Sequence, residues 1–335
     1  MRRRHLATIL LLLSGVWAAN AATLDAVKKR GELVCGVSQD VLGLAAAAPS
    51  GNWWGIEVEF CRALAAAVLG HANQVKFRPL ASPERFEALR KGEVDVLARS
   101  ERWTMSSGVE PGITFAAVLY HSGLAVMVPK RLGVVSVHEL SGVRLCVGQD
   151  YDRQSLEQYL SQRSMRANVV SVANWQEISS AYRAEKCAGL VADSILLAGE
   201  LQRLPDQDRD IVLPERLSIQ PAGVMVRSGD NQWRLIVRWT MNAMILGEQL
   251  GVGASGVHAS VQPASVELRV LLGMEGNLGA SLGLERDWAQ DVLSQVGNYA
   301  EIYARTLGTG SALRLPRGPN RLWSQGGLFV PLPLR

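Results

Sequence analysis

Short apolar runs alternate with amphipathic segments along the first part of the chain. Three runs have the length and composition of buried strands, at 33–37, 75–79 and 94–97. Two segments with apolar residues at helical spacing separate them, at 55–69 and 83–91, and a glycine follows each helix end. This order predicts an α/β unit with a parallel sheet and right-handed crossovers.

The same alternation returns after a long apolar stretch at 116–128, which indicates a crossing into a second unit. Strands are predicted at 145–147, 169–172 and 189–192, helices at 155–160, 175–184 and 195–204, and a return at 221–226. Two lobes with two chain crossings follow. We expect lobe 1 to be discontinuous, at 22–127 and 224–335, and lobe 2 to span 128–223.

Polar residues gather where the third apolar run ends, and ligands in open α/β sheets bind beyond the carboxyl ends of strands. The candidates are Arg99, Ser100, Arg102, Thr104 and Ser107. Two guanidinium groups and several hydroxyls suit a small anionic or zwitterionic ligand. The alternative is a solvated surface loop.

An aromatic pair flanks the loop after the first strand. Trp53 and Trp54 stand there, and Trp54 is a candidate for stacking on a ligand. Most of the other tryptophans are expected in the core.

The first 21 residues have the pattern of a secretory signal peptide. Three arginines precede an apolar run at 6–19 and a small-residue cleavage site. Cleavage would remove those arginines and lower the formal charge of the 335-residue chain from +4 to +1, which gives no indication of nucleic-acid binding. We expect a periplasmic protein, since no later segment is apolar for the length of a membrane helix.

Four cysteines in an oxidising compartment allow three disulfide pairings. We predict Cys35–Cys61 and Cys146–Cys187, because each pair lies within one sequence neighbourhood. No Cys-x-x-Cys and no His pair indicates zinc, and no other cofactor is expected.

A glycine-rich run at 251–256 has the G-x-G-x-x-G spacing of dinucleotide sites. That fingerprint needs a strand before it, whereas a long amphipathic helix precedes this run. We interpret it as a helix end followed by a turn.

The sequence resembles the periplasmic general L-amino-acid-binding proteins of ABC transporters, within solute-binding protein family 3. The likeness extends from about Thr23 to the C-terminus. It is found in residues 33–39 (LVCGVSQ), 51–53 (GNW), 55–56 (GI), 61–63 (CRA), 92–97 (GEVDVL), 103–104 (WT), 127–130 (MVPK), 139–142 (ELSG), 186–187 (KC), Asp193, 230–233 (DNQW), 287–289 (DWA), 295–299 (QVGNY) and 326–328 (GGL).

The resemblance implies a two-lobe flytrap fold of type II, with the ligand between lobes that a two-stranded hinge joins. Its cysteines match the pairing predicted above. It also implies that Asp193 receives the ligand ammonium, and that a lobe-2 turn at Gln149, Asp150 and Asp152 faces the ligand. The family Arg that binds the ligand carboxylate corresponds to Ser107 here.

Two hypotheses account for Ser107. Either Arg102 or Arg99 replaces the carboxylate-binding Arg, or the ligand is not an α-amino acid. In the second case, Asp150, Asp152 and Asp193 would favour a cationic compound.

The leading expectation is a monomeric binding protein that delivers a small polar ligand to a membrane permease. A sensor module is the main alternative. A recruited enzyme would need a perturbed acid or base in the cleft, and Glu101, Glu110 and Asp150 are the candidates.

Overall fold

The computed structural model describes residues 22–148, 151–172, 175–204, 206, 208–257 and 265–334. The strands are β1 Leu33–Val37, β2 Ala46–Ala47, β3 Trp53–Trp54, β4 Val75–Pro79, β5 Val96–Arg102, β6 Ile113–Ser122, β7 Leu124–Pro129, β8 Arg144–Gly148, β9 Asn168–Val172, β10 Gly189–Asp193, β11 Asp210–Val212 and β12 Gln220–Arg227. The helices are α1 Thr23–Arg30, α2 Ile56–Leu69, α3 Arg85–Arg90, α4 Met105–Gly108, α5 Tyr151–Gln162, α6 Trp175–Arg183, α7 Ser194–Arg203, α8 Asn231–Gln249, α9 Val266–Leu271, α10 Trp288–Gln295 and α11 Tyr299–Thr306.

The first five-stranded sheet has the order β4-β1-β5-β12-β6. β1 runs parallel to β4 and β5, as the sequence predicted, whereas β12 is antiparallel to both of its neighbours. Helices α2 and α8 cover the sheet, and Trp233 of α8 is fully buried and donates from Nε1 to the backbone oxygen of Asp95 at 3.0 Å. That bond satisfies the indole N–H inside the core of lobe 1.

The second five-stranded sheet has the order β11-β7-β10-β8-β9. β8, β9 and β10 are parallel, β7 is antiparallel to β10, and β11 is antiparallel to β7 at the edge of the sheet. Each strand and helix that the sequence predicted for lobe 2 is present. The pattern was readable because each buried strand is short and is followed by an amphipathic helix.

The chain passes between the sheets at Gly123 and again before Gln220, because β7 pairs with β10 and β12 pairs with β6. The boundaries expected at 127/128 and 223/224 fall inside β7 and β12. Buried strands lie on both sides of each crossing, so the apolar run gives no signal at the crossing itself.

Both predicted disulfides are present. Cys35–Cys61 joins β1 to α2 in lobe 1, and Cys146–Cys187 joins β8 to the segment before β10 in lobe 2. Within the described ranges, no helix has the length and apolar character needed to cross a membrane.

The chain after 265 packs on lobe 1 and reaches the hinge. Asn320 accepts from the backbone N–H of His121 at 2.7 Å and donates to its backbone oxygen at 2.8 Å. Tyr299 donates to the backbone oxygen of Leu119 at 3.1 Å. This segment after residue 265, the C-terminal cover, therefore holds the last residues of β6 before the crossing.

Gly123 sits where the two crossing segments touch. It lies between the end of β6 and the start of β7. A Cβ placed on it would stand 1.8 Å from the backbone oxygen of Ser218. Ser218 also accepts from the N–H of Leu124 at 3.2 Å. The close backbone approach requires glycine.

We expect Gly123→Ala to lower the free energy of unfolding by about 1 to 3 kcal/mol, because the added methyl group must displace the paired segment. Gly108→Ala is the matched control, since its Cβ would lie 3.8 Å from the nearest side chain. Urea unfolding of both variants measures the difference. Equal stability of the two would contradict the steric argument.

Candidate functional site

The strand ends of the two lobes face each other across a cleft, where an arginine of lobe 1 meets a carboxylate of lobe 2. Arg102 is the last residue of β5, and Asp152 lies in the first turn of α5. Arg102 Nη1 donates to Asp152 Oδ1 at 2.6 Å, and Nη2 approaches Oδ2 at 3.4 Å. This two-point contact links the lobes directly.

Arg102 lies between two carboxylates. Burial lowers the pKa of its guanidinium, but the hydrogen bonds and charge of Asp152 and the charge of Asp193 outweigh that effect and raise the pKa. The side chain keeps about a third of its surface open, at 35%. It therefore presents a permanent positive charge to the cleft.

Asp193 ends β10 and caps α7. Its Oδ1 accepts from the N–H of Ile195 at 2.9 Å. Burial raises the pKa of this carboxyl, while the Ser122 hydroxyl, the Ile195 N–H and Arg102 oppose the rise. Asp193 is partly exposed beside the hinge, so its carboxylate could accept hydrogen bonds from a cation that enters the cleft.

A buried polar cluster lies beneath the lobe-1 face. Glu57, near the start of α2, accepts from the backbone N–H of Ser38 at 2.7 Å and from its hydroxyl at 2.8 Å. Burial raises the pKa of Glu57 to about 7, against the hydrogen bonds of Ser100 and Ser38. Burial also raises the pKa of Tyr120 well above its ordinary value.

Ser100 lies at an irregularity in β5. Its φ is +53°, and the pairing with β12 shifts register between Leu97 and Glu101. The Ser100 hydroxyl lies beside the Glu57 carboxyl and the Tyr120 hydroxyl, yet it makes no hydrogen bond of good geometry. A bulge of this kind re-aims side chains at a strand end.

The strand that the sequence ended near Leu97 continues to Arg102. Ala222 of β12 pairs with Arg102, so backbone hydrogen bonds hold the polar residues in extended form. The polarity of the side chains gives no indication of this backbone pairing. Arg99, Ser100 and Arg102 are therefore presented by a strand rather than by a loop.

A cavity of about 690 Å³ opens between the lobes, and its described lining includes Arg99 but not Arg102 or Asp152. Lobe 1 contributes Gln39, Ser82 and Arg99, and lobe 2 contributes Trp175, Gln176, Ile195 and Arg203. Arg99 donates to the backbone oxygen of Leu80 at 2.8 Å and to the Ser82 hydroxyl at 3.0 Å. Burial and the nearby Arg85 lower the pKa of Arg99, although Glu57 and Glu101 oppose this.

Comparison with known proteins identifies relatives along the whole chain, although no protein-family model matches it. The chain is 39% identical to the general L-amino acid-binding periplasmic protein AapJ of Rhizobium johnstonii, over 97% of this chain and 96% of that protein. It is 37% identical to the putative amino-acid ABC transporter-binding protein YhdW of Escherichia coli K12, over the full length of both.

A solved structure agrees. It is the periplasmic binding protein of an ABC transporter from Brucella ovis, with glutathione bound, at 37% identity and a TM-score of 0.84, covering 94% of this chain and 100% of that one. The chain belongs to the periplasmic amino-acid-binding proteins of ABC transporters. Two sheets, two crossings and an interlobe cleft are what a two-lobe flytrap protein requires.

For this amino-acid-binding protein, the predicted site residues divide into four groups. Arg99, Ser100, Arg102, Asp152 and Asp193 lie at the cleft or directly beneath its lobe-1 face. Trp54 is in the short strand β3, is partly exposed and does not line the cavity. Gln149 and Asp150 lie outside the described residues.

Thr104 and Ser107 have a local structural role. The Ser107 hydroxyl donates to the backbone oxygen of Arg102 at 2.6 Å and accepts from the N–H of Thr104 at 3.0 Å, which completes a capping box on α4. The short helix therefore fixes the end of β5 and the direction of Arg102.

The sequence did not single out Glu57, Tyr120, Trp175 or Arg203. Glu57 carried no clear signal, because an acidic residue in the first turn of a helix is common and Glu59 stands in the same turn. The other three carried no local signal. Of the described residues, no group of three or more His, Cys, Asp or Glu side chains is arranged to hold a metal ion.

Glu57 predicts a pH dependence of stability. Its pKa is about 7 in the folded protein and 4.5 ordinarily, so the folded state keeps a proton that the unfolded chain loses between these values. The stability it contributes is therefore largest at low pH and falls as pH rises towards 7. We expect wild type to lose on the order of 2 kcal/mol relative to Glu57→Gln between about pH 5 and about pH 7.5.

Urea unfolding of both proteins at each pH measures this difference. Glu285→Gln, at an exposed position, is the control for loss of a carboxylate and should track wild type. A constant difference between wild type and Glu57→Gln across the range would show that Glu57 is ionised throughout.

Proposed function

We propose that this protein binds an amino acid or a short amino-acid-derived peptide between its lobes in the periplasm and delivers it to an ABC permease. The Arg102–Asp152 contact carries the proposal, because it places a cation of lobe 1 against a carboxylate of lobe 2 at the cleft. We further propose that the protein acts as a monomer, without catalysis, after removal of residues 1–21.

The ligand ammonium is assigned to Asp193. This carboxyl lies at the hinge end of the cleft, and burial raises its pKa because no adjacent cation compensates it fully. An ammonium group would supply the missing charge and donate hydrogen bonds. Its binding would hold Asp193 ionised.

The ligand carboxylate is assigned to Arg102. The Ser107 hydroxyl is hydrogen-bonded to the backbone around α4. Arg102 faces the cleft and already donates to a carboxylate of lobe 2. A ligand carboxylate would join or displace Asp152 on this guanidinium. Arg99 is less suited, since Leu80 and Ser82 occupy two of its nitrogens.

The cavity supports a ligand larger than a free amino acid as the second candidate. Its volume of about 690 Å³ is in the range of sites for drug-sized molecules. Ile195 places it next to Asp193, and Arg99, Trp175 and Arg203 line its outer part. The Brucella ovis relative has glutathione, a tripeptide, bound, which supports a ligand of this size.

Lobe closure would complete the site, because Arg102 and Asp193 come from different lobes. A ligand that contacts both shifts the open and closed populations in proportion to its preference for the closed state. A permease that recognises the closed arrangement would then receive loaded protein.

The ligand is identified by isothermal titration calorimetry with glutamate, glutamine, arginine, a polyamine and glutathione. Exothermic binding of an α-amino acid or of glutathione supports the proposal. Binding of the polyamine alone would favour the cationic-ligand hypothesis, and no binding by any member would contradict capture of this ligand class.

Asp193→Asn is expected to weaken binding of the best ligand about 10- to 100-fold, because a neutral amide replaces the carboxylate under the ammonium. Asp208→Asn, at a fully exposed side chain, is the matched control. Calorimetry of both variants checks this. Unchanged affinity of Asp193→Asn, with an intact fold, would reassign the ammonium.

Arg102→Ala and Arg99→Ala separate the two candidates for the carboxylate. We expect about a 10- to 100-fold loss of affinity for Arg102→Ala and a smaller loss for Arg99→Ala. The amide analogue of the ligand should bind wild type weakly and Arg102→Ala no worse. The reverse order of the two losses would assign the carboxylate to Arg99.

A further inference from the structure

A second, smaller cavity of about 100 Å³ lies beside the hinge, under the C-terminal cover. Its walls come from both lobes and from the hinge itself. They include His121 and Ile219 of the crossing segments, Ser194 and Arg216 of lobe 2, and Tyr303 and Arg317 of the C-terminal cover.

Arg216 brings a cation to this cavity without a contacting counter-ion. Within the described part of the chain, its guanidinium makes no ion pair and no hydrogen bond. The neighbouring Glu215 is engaged elsewhere, since it accepts from the Ser136 hydroxyl at 2.5 Å and from the Val137 N–H at 3.2 Å. Burial lowers the pKa of Arg216, although the charges of Tyr303 and Asp193 oppose this.

Two further nitrogens on the same walls are buried without a hydrogen bond, His121 Nδ1 and Arg317 Nε. The other two nitrogens of Arg317 donate to Glu248 at 2.6 and 2.9 Å, and Nη2 also donates to the Asn320 backbone oxygen at 2.6 Å, whereas Nε has no partner among the described residues. Burial lowers the pKa of His121, which leaves a neutral ring able to donate from Nδ1. Unsatisfied buried donors in one small cavity indicate a missing acceptor.

We propose that this cavity binds a small monovalent anion, such as chloride, between Arg216 and Arg317 Nε. A volume of about 100 Å³ corresponds to about three water molecules, which admits a halide with one or two waters. The charge also fits, because Glu248 neutralises Arg317 and leaves one cation for one anion. Since the walls come from both lobes, the bound anion would tie the C-terminal cover to lobe 2.

The test measures the melting temperature of the purified protein in sodium chloride and in sodium gluconate at equal ionic strength. Saturating chloride at ten times its dissociation constant favours the folded state about elevenfold, a rise of about 2 to 4 °C. Arg216→Gln should lose this rise, and Arg216→Lys should keep part of it. Arg144→Gln, an exposed position in lobe 2, should keep all of it.

Crystals grown in sodium bromide give the second measurement. An anomalous peak within hydrogen-bond reach of Arg216 and Arg317 supports the proposal. Equal melting temperatures in chloride and gluconate, or the same chloride response in Arg216→Gln and wild type, would overturn it. A cavity that contains only water in the crystals grown in bromide would overturn it as well.

Discussion

The contact between Arg102 and Asp152 is the interaction on which the geometry of the cleft depends. It joins the end of β5 to the first turn of α5 at 2.6 Å, so it fixes the distance between the two half-sites. An ion pair that is partly desolvated is specific in geometry but contributes modest net stability, because the loss of hydration offsets the attraction. The pair therefore positions the lobes while leaving closure sensitive to a ligand.

The lobe-1 half of the site rests on buried polar groups. Glu57 holds the segment after β1 through two bonds to Ser38, and its carboxyl also lies beneath the Ser100 bulge. The bulge permits β5 to continue to Arg102 while turning Arg99 towards Ser82. A carboxyl whose pKa is raised to about 7 keeps its proton below that pH, and the neutral form costs less to bury there than the charged one.

Much of the fold was predictable because it follows from local periodicity. Short apolar strands, amphipathic helices and the two cysteine neighbourhoods each leave a signal within a few residues. The extension of β5 to Arg102 left none, since it depends on pairing with Ala222, which is far away along the chain. The Arg102–Asp152 pair was equally hidden, because sequence lists charged residues without stating which ones face each other.

The contacts of Ser107 connect these points. Its hydroxyl turns back from α4 and donates to the Arg102 backbone oxygen at 2.6 Å. Ser107 therefore helps to orient Arg102, five residues before it in the chain. Arg102, two residues closer to the sheet than Thr104, is held by strand pairing as well as by this bond. A cation placed on a strand is more firmly oriented than one on a short helix, so β5 gives the positive charge of Arg102 a more rigid support than α4 would give.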